Sequence, residues 1–423
     1  MGGQRLAAVA IVLAVAAAVA GCLASADLDE PVTLRVVLAD DWVSAPVVRE
    51  VVDEFEAEAD GQLVVELEGM PFSQIADRIA ADQDLGRPPD LAHWHAFAAA
   101  AAGLAEPIDD LWEAAGLEPD AYLPGALDSV TWNGQRYGLP LDTNALVLLV
   151  NLEVLRAAGF DLDDLATPES FREVAAGVVA AGVVEHALSV STSTWATYGW
   201  IQAHGGDLLA SDSHPPEFTF EDPAVAAALE LLRDLIEEEL APRPFAMSLA
   251  PDAIGAFAQG EVAMHATGSW DLTFRDRAAA VAVDQLAVVR LPQADPARPR
   301  TVLGGSSLFV PVDTPHRQLA FDLALRLTDD EVALRLATEE GRLPARSELL
   351  DDERLVQDPL LAAVIAELDH ARVMPLIAYP EAQAAFAEGV EDVLSGRSSA
   401  AETLAAVQRT AMAGADPAAG SDG

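Results

Sequence analysis

From Val32 onward the chain alternates β-branched runs with stretches of helical spacing, and this alternation constrains the fold more than any other feature. Val32 to Leu38 is bounded by Asp40-Asp41 and reads as a strand, and Val47 to Ala59 carries apolar residues at helical intervals. Leu63 to Leu67 reads as a second strand. Phe72 to Asp84 is amphipathic and ends at the breakers Gly86 to Pro89, and Asp90 to His93 enters a third, buried strand. Strands separated by helices of roughly 10–15 residues need right-handed crossovers and give a parallel-rich sheet. Ligands of such sheets collect outside the carboxyl ends of the strands, so the loops after Leu38 and His93 are the first places to look.

Downstream, Gly138 to Asn144 leads into an apolar strand, Ala145 to Val150, that ends at Asn151. Thr167-Pro-Glu-Ser170 has the form of a helix start. Ala224 to Leu240 reads as one long amphipathic helix stopped by Pro242 and Pro244. Ala250 to Gln259 reads as another, and Val262 to Ala266 as a strand broken at Gly268-Ser269-Trp270. Ala287 to Leu291 and Ser307 to Val312 are expected to be strands on either side of a Pro/Gly-rich turn. Arg317 to Thr410 is expected to be helical, with breaks near Gly341 and Pro375. A length of 423 residues allows two to three domains.

Charge removes whole classes of function. The chain has 24 Lys+Arg, every one of them Arg, against 69 Asp+Glu, for a net −45. Nucleic acids are bound through clustered basic side chains that displace counterions, and anionic lipid is docked by polybasic patches; neither fits this balance. A 51% hydrophobic content also excludes a disordered acidic chain. The acids are spread along the sequence and read as a solvated exterior.

The first residues set the compartment. Met1 to Arg5 is a short basic start, Leu6 to Ala20 is almost purely small or aliphatic, and Gly21-Cys22 follows. This is the pattern of a secretory signal. Small residues before a lone cysteine resemble the lipobox of bacterial lipoproteins. The resemblance implies cleavage after residue 21, a lipidated Cys22, a linker over 22–31, and a folded part held outside the cytoplasmic membrane by acyl chains alone. Cys22 is the only cysteine, so no intramolecular disulfide can form.

The order of motifs in the mature chain is similar to that of the extracellular solute-binding proteins of ABC importers, in particular the carbohydrate-binding group that includes the maltose-binding protein. The residues that carry this are Pro89-Asp90-Leu-Ala-His-Trp94 and Gly134 to Asn144 with Asn151, then Pro168-Glu-Ser-Phe171 and His204-Gly205-Gly206. Gly260-Glu-Val-Ala-Met264 with Gly268-Ser-Trp270, Gly304-Gly305, and Gly341-Arg-Leu-Pro344 complete the set. The resemblance implies an α/β, two-lobed periplasmic-binding-protein-like fold of type II, with a ligand cleft between the lobes. By analogy lobe one would be 32–140 and 288–328, lobe two 141–287 and 329–412, and 413–423 a disordered tail. Pro140 to Thr143 would belong to the hinge. It further implies a monomeric, non-enzymatic binding protein without cofactor, which takes a small-molecule ligand, expected to be carbohydrate, to membrane permease subunits served by a separate ATPase.

A pyranose presents an apolar face of C–H groups and a rim of hydroxyls, so it calls for aromatic platforms beside planar polar groups. Trp42, Trp94, Trp195 and Trp270 stand near strand or helix ends and are the candidate platforms. The polar candidates are Asp41, His95, Asp142, Asn144, Tyr379 and Glu381, and the resemblance adds Gly304 and Gly305. Trp94, Asn144, Trp195 and Trp270 match positions that contact ligand in the family's sugar binders. The same architecture in relatives also serves polyamines, polyols and glycerol phosphodiesters. His93 and His95 sit at a spacing that allows joint metal ligation, but no second clustered pair accompanies them, and a metal site is not expected. A secreted glycoside hydrolase would need two carboxylates flanking the sugar; with so many acids, their mere presence in the chain does not mark one.

Overall fold

The computed structural model describes residues 31–210, 216–243, 251–276 and 281–414. The expected signal segment and Cys22 lie outside them, as do residues 415–423 of the expected tail; Ala413 and Gly414 belong to the closing helix, Ala400–Gly414. In chain order the first strands are β1 (Val32–Ala39), β2 (Leu63–Met70), β3 (Leu91–Trp94), β4 (Thr131–Trp132), β5 (Gln135–Arg136) and β6 (Gly138–Ala145). They are followed by β7 (Val147–Asn151), β8 (His186–Ser189), β9 (Val262–Thr267), β10 (Leu286–Val289), β11 (Thr301–Phe309) and β12 (Ala371–Val373).

The chain divides into two compact units. The first runs to Thr143 and resumes at Gly305–Leu349, and the second comprises Asn144–Gly304 and Leu350 onward. These limits differ from the expected ones by 3 residues at the first passage and by 17 and 21 at the other two. Residues 288–304 fall in the second unit because β10 is paired antiparallel with β7, Leu286 opposite Asn151. Residues 329–349 fall in the first because the helix Asp330–Glu340 is tied there, Arg335 reaching Glu50 at 2.8 Å. The Gly304-Gly305 pair, expected in a turn, lies inside β11.

In the first unit β1 is the middle of a parallel ladder. It pairs with β2 from Val32↔Leu63 to Ala39↔Met70, and with β3 at Val36↔Leu91. The end of β11 closes on β3 from the other side, antiparallel, with Ser307 opposite Trp94. The parallel sheet read from the strand–helix alternation is therefore the one observed. Leu34, Val36, Val37 and Leu38 are buried in β1, and Val47, Val48, Val51, Val52 and Phe55 of the helix Pro46–Glu58 are buried with them. Burial of such side chains stabilises by about 1.5–3 kcal/mol each, before the ordering entropy is subtracted.

In the second unit the strand order is β10-β7-β9-β8. β7 is buried along its whole length, antiparallel to both β10 and β9, while β8 runs parallel to β9. The helix Pro168–Ala180 starts as its sequence indicated: Thr167 caps it and exchanges hydrogen bonds with Ser170 in a capping box. Phe171, Tyr198, Trp200, Phe220 and Phe386, mostly on helices, share its core. β12 interrupts a region expected to be helical; three residues carry no readable periodicity, and their strand form comes from pairing with β11 at Thr301↔Ala371. Among the described residues no helix is long and apolar enough to cross a membrane.

Candidate functional site

Two tryptophans meet in the second unit. Trp195 opens the helix Thr194–Ala203, and Trp270 lies in the short 3-10 helix Ser269–Asp276 that follows β9. Their ring centroids are 5.4 Å apart, with planes inclined at 52°, and both side chains are half-buried. The Trp195 Nε1–H donates to the Leu303 carbonyl at 3.1 Å, so one indole edge is fixed by the β11 backbone. Glycine provides the room: a Cβ on Gly304 would stand 2.8 Å from the Trp195 ring and 2.1 Å from Asn144 Oδ1. Likewise a Cβ on Gly268 would stand 2.1 Å from the Trp270 ring. Asn144 is 3% exposed and its Oδ1 has no hydrogen-bond partner. Trp195 and Asn144 are thus placed by the same stretch of β11, and Trp270 meets Trp195 from the turn after β9.

Tyr379 and Glu381 are not placed on this pair. Tyr379 packs edge-on against Phe218, centroids 5.6 Å apart, at the margin of the second unit's core. Glu381 is exposed in the first turn of the helix Pro380–Leu394, with its carboxylate beside Gly414. It is Gln383, which the motif reading passed over, that reaches the Trp195 helix, donating to Thr194 Oγ1 at 2.7 Å.

In the first unit the candidates separate by burial. Trp42 is 3% exposed; the helical turn Asp40–Ser44, where a loop was expected, directs its indole inward onto His93 at 5.2 Å. Its indole is thus part of the first unit's buried interior. Asp41 forms an ion pair with Arg342, whose guanidinium also lies 5.4 Å over the Trp42 ring. Trp94 closes β3 instead of following it. It is half-buried, and its carbonyl accepts from Ser307 Oγ at 2.8 Å. His95 is half-buried between Phe72 at 5.2 Å and Phe97 at 6.1 Å, and desolvation lowers its pKa to about 4.

His93 is more deeply placed, at 1% exposure, and burial pushes its pKa well below the ordinary imidazole value. Its Nδ1 accepts from the Ala39 N–H at 3.3 Å, while Nε2 has no partner. With Nδ1 accepting from the backbone, the neutral ring carries its proton on Nε2. Among the described residues no three metal-ligating side chains come together.

Asp142 is also inward-facing, 5% exposed, and burial raises its pKa. Its Oδ1 accepts from the Ser306 N–H at 2.8 Å and from the Ser306 hydroxyl at 2.5 Å, which ties β6 to β11. Arg342 lies 3.9 Å from the other oxygen. One carboxylate oxygen is thus engaged in a tie between strands. Gly305 serves the same junction: its φ is +123°, and a Cβ there would meet the Asp142 carbonyl at 2.3 Å. Both glycines of the pair are explained by close protein contacts. Motif reading did not single out Arg342, which pairs with Asp41 and lies over Trp42; it stands within the Gly341 to Pro344 stretch, and that stretch was its only signal.

Comparison with known proteins places these units in a lineage. Residues 50–363 match the family of bacterial extracellular solute-binding proteins. The maltotriose-binding protein of Pyrococcus abyssi is 22% identical over 295 residues, which cover 69% of this chain and 62% of that protein. The chain spans about six tenths of the length of the curated relatives it matches, 59% and 62%. A maltose-bound protein of Thermotoga maritima shares the fold, with a TM-score of 0.79 at 20% identity over 90% of this chain and 99% of the other. A Mycobacterium tuberculosis protein in complex with glycerophosphocholine does so too, with a TM-score of 0.77 at 21% identity over 92% of this chain and 98% of the other.

Proposed function

We propose, for a chain that belongs to the family of bacterial extracellular solute-binding proteins, that it is the substrate-binding subunit of an ABC importer and captures a sugar or oligosaccharide. The observation that carries the choice of ligand is the Trp195–Trp270 pair, two half-buried indoles 5.4 Å apart whose positions are fixed by β11 and by Gly268 and Gly304. Each indole of such a pair has a flat apolar face that suits the C–H face of a pyranose, and the two faces meet at an angle of 52°. Polar groups are available separately in each unit: Asn144, with an unpartnered Oδ1, in the second, and His95 and Arg342 in the first. The names of the maltotriose-binding relative and the maltose-bound neighbour support the same ligand class.

The remaining parts of the reading follow from what such a subunit needs. Transport energy comes from a permease and an ATPase encoded elsewhere, and the lipid on Cys22 keeps the protein beside them. Capture leaves the sugar intact. The test is tryptophan fluorescence over a panel of mono- and oligosaccharides, polyols and glycerol phosphodiesters, with chromatography of the recovered ligand. A saturable emission change with a sugar, returned unaltered, supports the reading. A response confined to glycerol phosphodiesters overturns the ligand class, and release of shortened sugars overturns the binding role.

A further inference from the structure

The turn that carries Trp270 is anchored by a chain of side-chain hydrogen bonds that the aromatic contacts do not account for. In the parallel ladder of β8 and β9, Ser189 stands opposite His265. Ser189 Oγ lies 2.6 Å from His265 Nδ1, and His265 Nε2 lies 3.2 Å from Asp271 Oδ2. The Thr267 hydroxyl donates to the same Oδ2 at 2.5 Å. Ser189, His265 and Thr267 are buried within the sheet at 5%, 7% and 3% exposure, whereas Asp271 and Trp270, adjacent in sequence, are half-buried. One end of the chain is therefore rigid and the other holds the turn.

With the imidazole neutral and its proton on Nε2, every group is satisfied: Ser189 donates to Nδ1, and Nε2–H and Thr267 donate to one carboxylate oxygen. The composition is that of a hydrolytic triad, but here the serine hydroxyl is enclosed between β8 and β9, and the carboxylate is shared with a threonine. That arrangement fixes a turn and presents no nucleophile. Removing the carboxylate would leave a buried N–H and a buried hydroxyl unpaired, a loss concentrated at the start of the Trp270 turn.

We propose that Ser189, His265, Thr267 and Asp271 are positioning residues that hold the Trp270 turn so that its indole meets Trp195. The consequence for ligand rests on the sugar-binding reading; the geometry itself does not, and is read without ligand. Two indoles this close couple excitonically and give a paired band in far-ultraviolet circular dichroism, which Trp270→Phe should abolish. Asp271→Ala should remove most of that band while unfolding stays cooperative. Asp271→Asn should restore it, because the amide oxygen accepts from the same two donors. Where Asp271→Ala does not fold, Thr267→Val, close in shape, should weaken the band. A band unchanged from the wild type in a folded Asp271→Ala or Thr267→Val variant overturns the proposal.

A second arm uses maltotriose. Asp271→Ala should weaken its binding about tenfold in the wild-type background and far less in the Trp270→Phe background, since coupled sites are not additive. Equal losses in both backgrounds would mean that Asp271 does not act through Trp270. Failure of the wild type to bind any sugar of the panel would sink the ligand reading, and the circular dichroism would still decide the positioning role.

Discussion

Trp42 and Trp270 both stand just after a strand, yet one is core and the other is the proposed platform. The difference is local. A single helical turn, Asp40–Ser44, swings Trp42 under Arg342 and onto His93, whereas the glycine at 268 lets Trp270 fold back over its own backbone toward Trp195. Trp42→Ala is expected to lower stability by about 3–5 kcal/mol, the usual range for emptying a buried aromatic site. Trp270→Ala is expected to lower sugar affinity by roughly 1–3 kcal/mol with a much smaller effect on unfolding. Urea denaturation and calorimetric titration of both variants check the contrast, and a large stability loss at Trp270 would place it in the core instead.

The histidines give a pH dependence with a definite sign. Burial lowers the pKa of His93, and that of His95 to about 4, from an ordinary 6.5. In the folded protein they resist protons that the unfolded chain takes up, so stability is full above the ordinary imidazole value and falls as pH drops from 6.5 toward 4. Asp142, whose pKa burial raises, has the opposite sign: its contribution is lost as pH rises above the ordinary carboxylate value. Urea midpoints between pH 7 and pH 4 should therefore decline on the acid side, and His93→Asn should flatten the decline. An unchanged slope in that variant would show that His93 is not a source of it.

Among the elements, β11 carries the most information and was the hardest to read. Glycines ordinarily weaken a strand, so Gly304-Gly305 in sequence suggests a turn. Here they are what allows the strand to run past Asn144 and Trp195 on one side of the unit boundary, and past Asp142 and Thr143 on the other. Those contacts lie some 110 to 160 residues away in the chain, beyond the reach of local pattern. Gly305→Ala should destabilise the first unit, because φ of +123° is strained for alanine and the new methyl would press on the Asp142 carbonyl. A melting temperature equal to the wild type would contradict that placement. The elements set by local chemistry were legible: the parallel run of β1, β2 and β3 came from alternation, and the start of the helix Pro168–Ala180 from Thr167 and Ser170. The 3-10 helix that holds Asp271 and the three-residue β12 were not, since each owes its form to partners distant in sequence.

For the whole molecule, a net −45 places like charges over both units. Many arginines are already engaged, among them Arg78 with Glu68 and Asp82, Arg317 with Glu106 and Asp110, and Arg335 with Glu50 and Glu339. Exposed pairs of this kind contribute little singly, so the surplus acid is left largely uncompensated. Added salt should screen that repulsion and raise the melting temperature between low ionic strength and about 1 M, where the Debye length is only about 3 Å. A melting temperature that falls over that range would mean the ion pairs outweigh the repulsion.

The parallel α/β sheet was readable from strand alternation, and tryptophans at element ends supplied the candidates for the proposed platform, while the unit limits depended on pairings such as Leu286 with Asn151. The central claim, that this is a protein which captures carbohydrate on the Trp195–Trp270 pair, is tested most directly by calorimetric titration with the sugar panel of the wild type beside Trp270→Ala. The account predicts saturable one-site binding by at least one sugar, weakened at least several-fold in the variant, with the sugar recovered intact. Binding of that sugar with equal affinity by both proteins would contradict it.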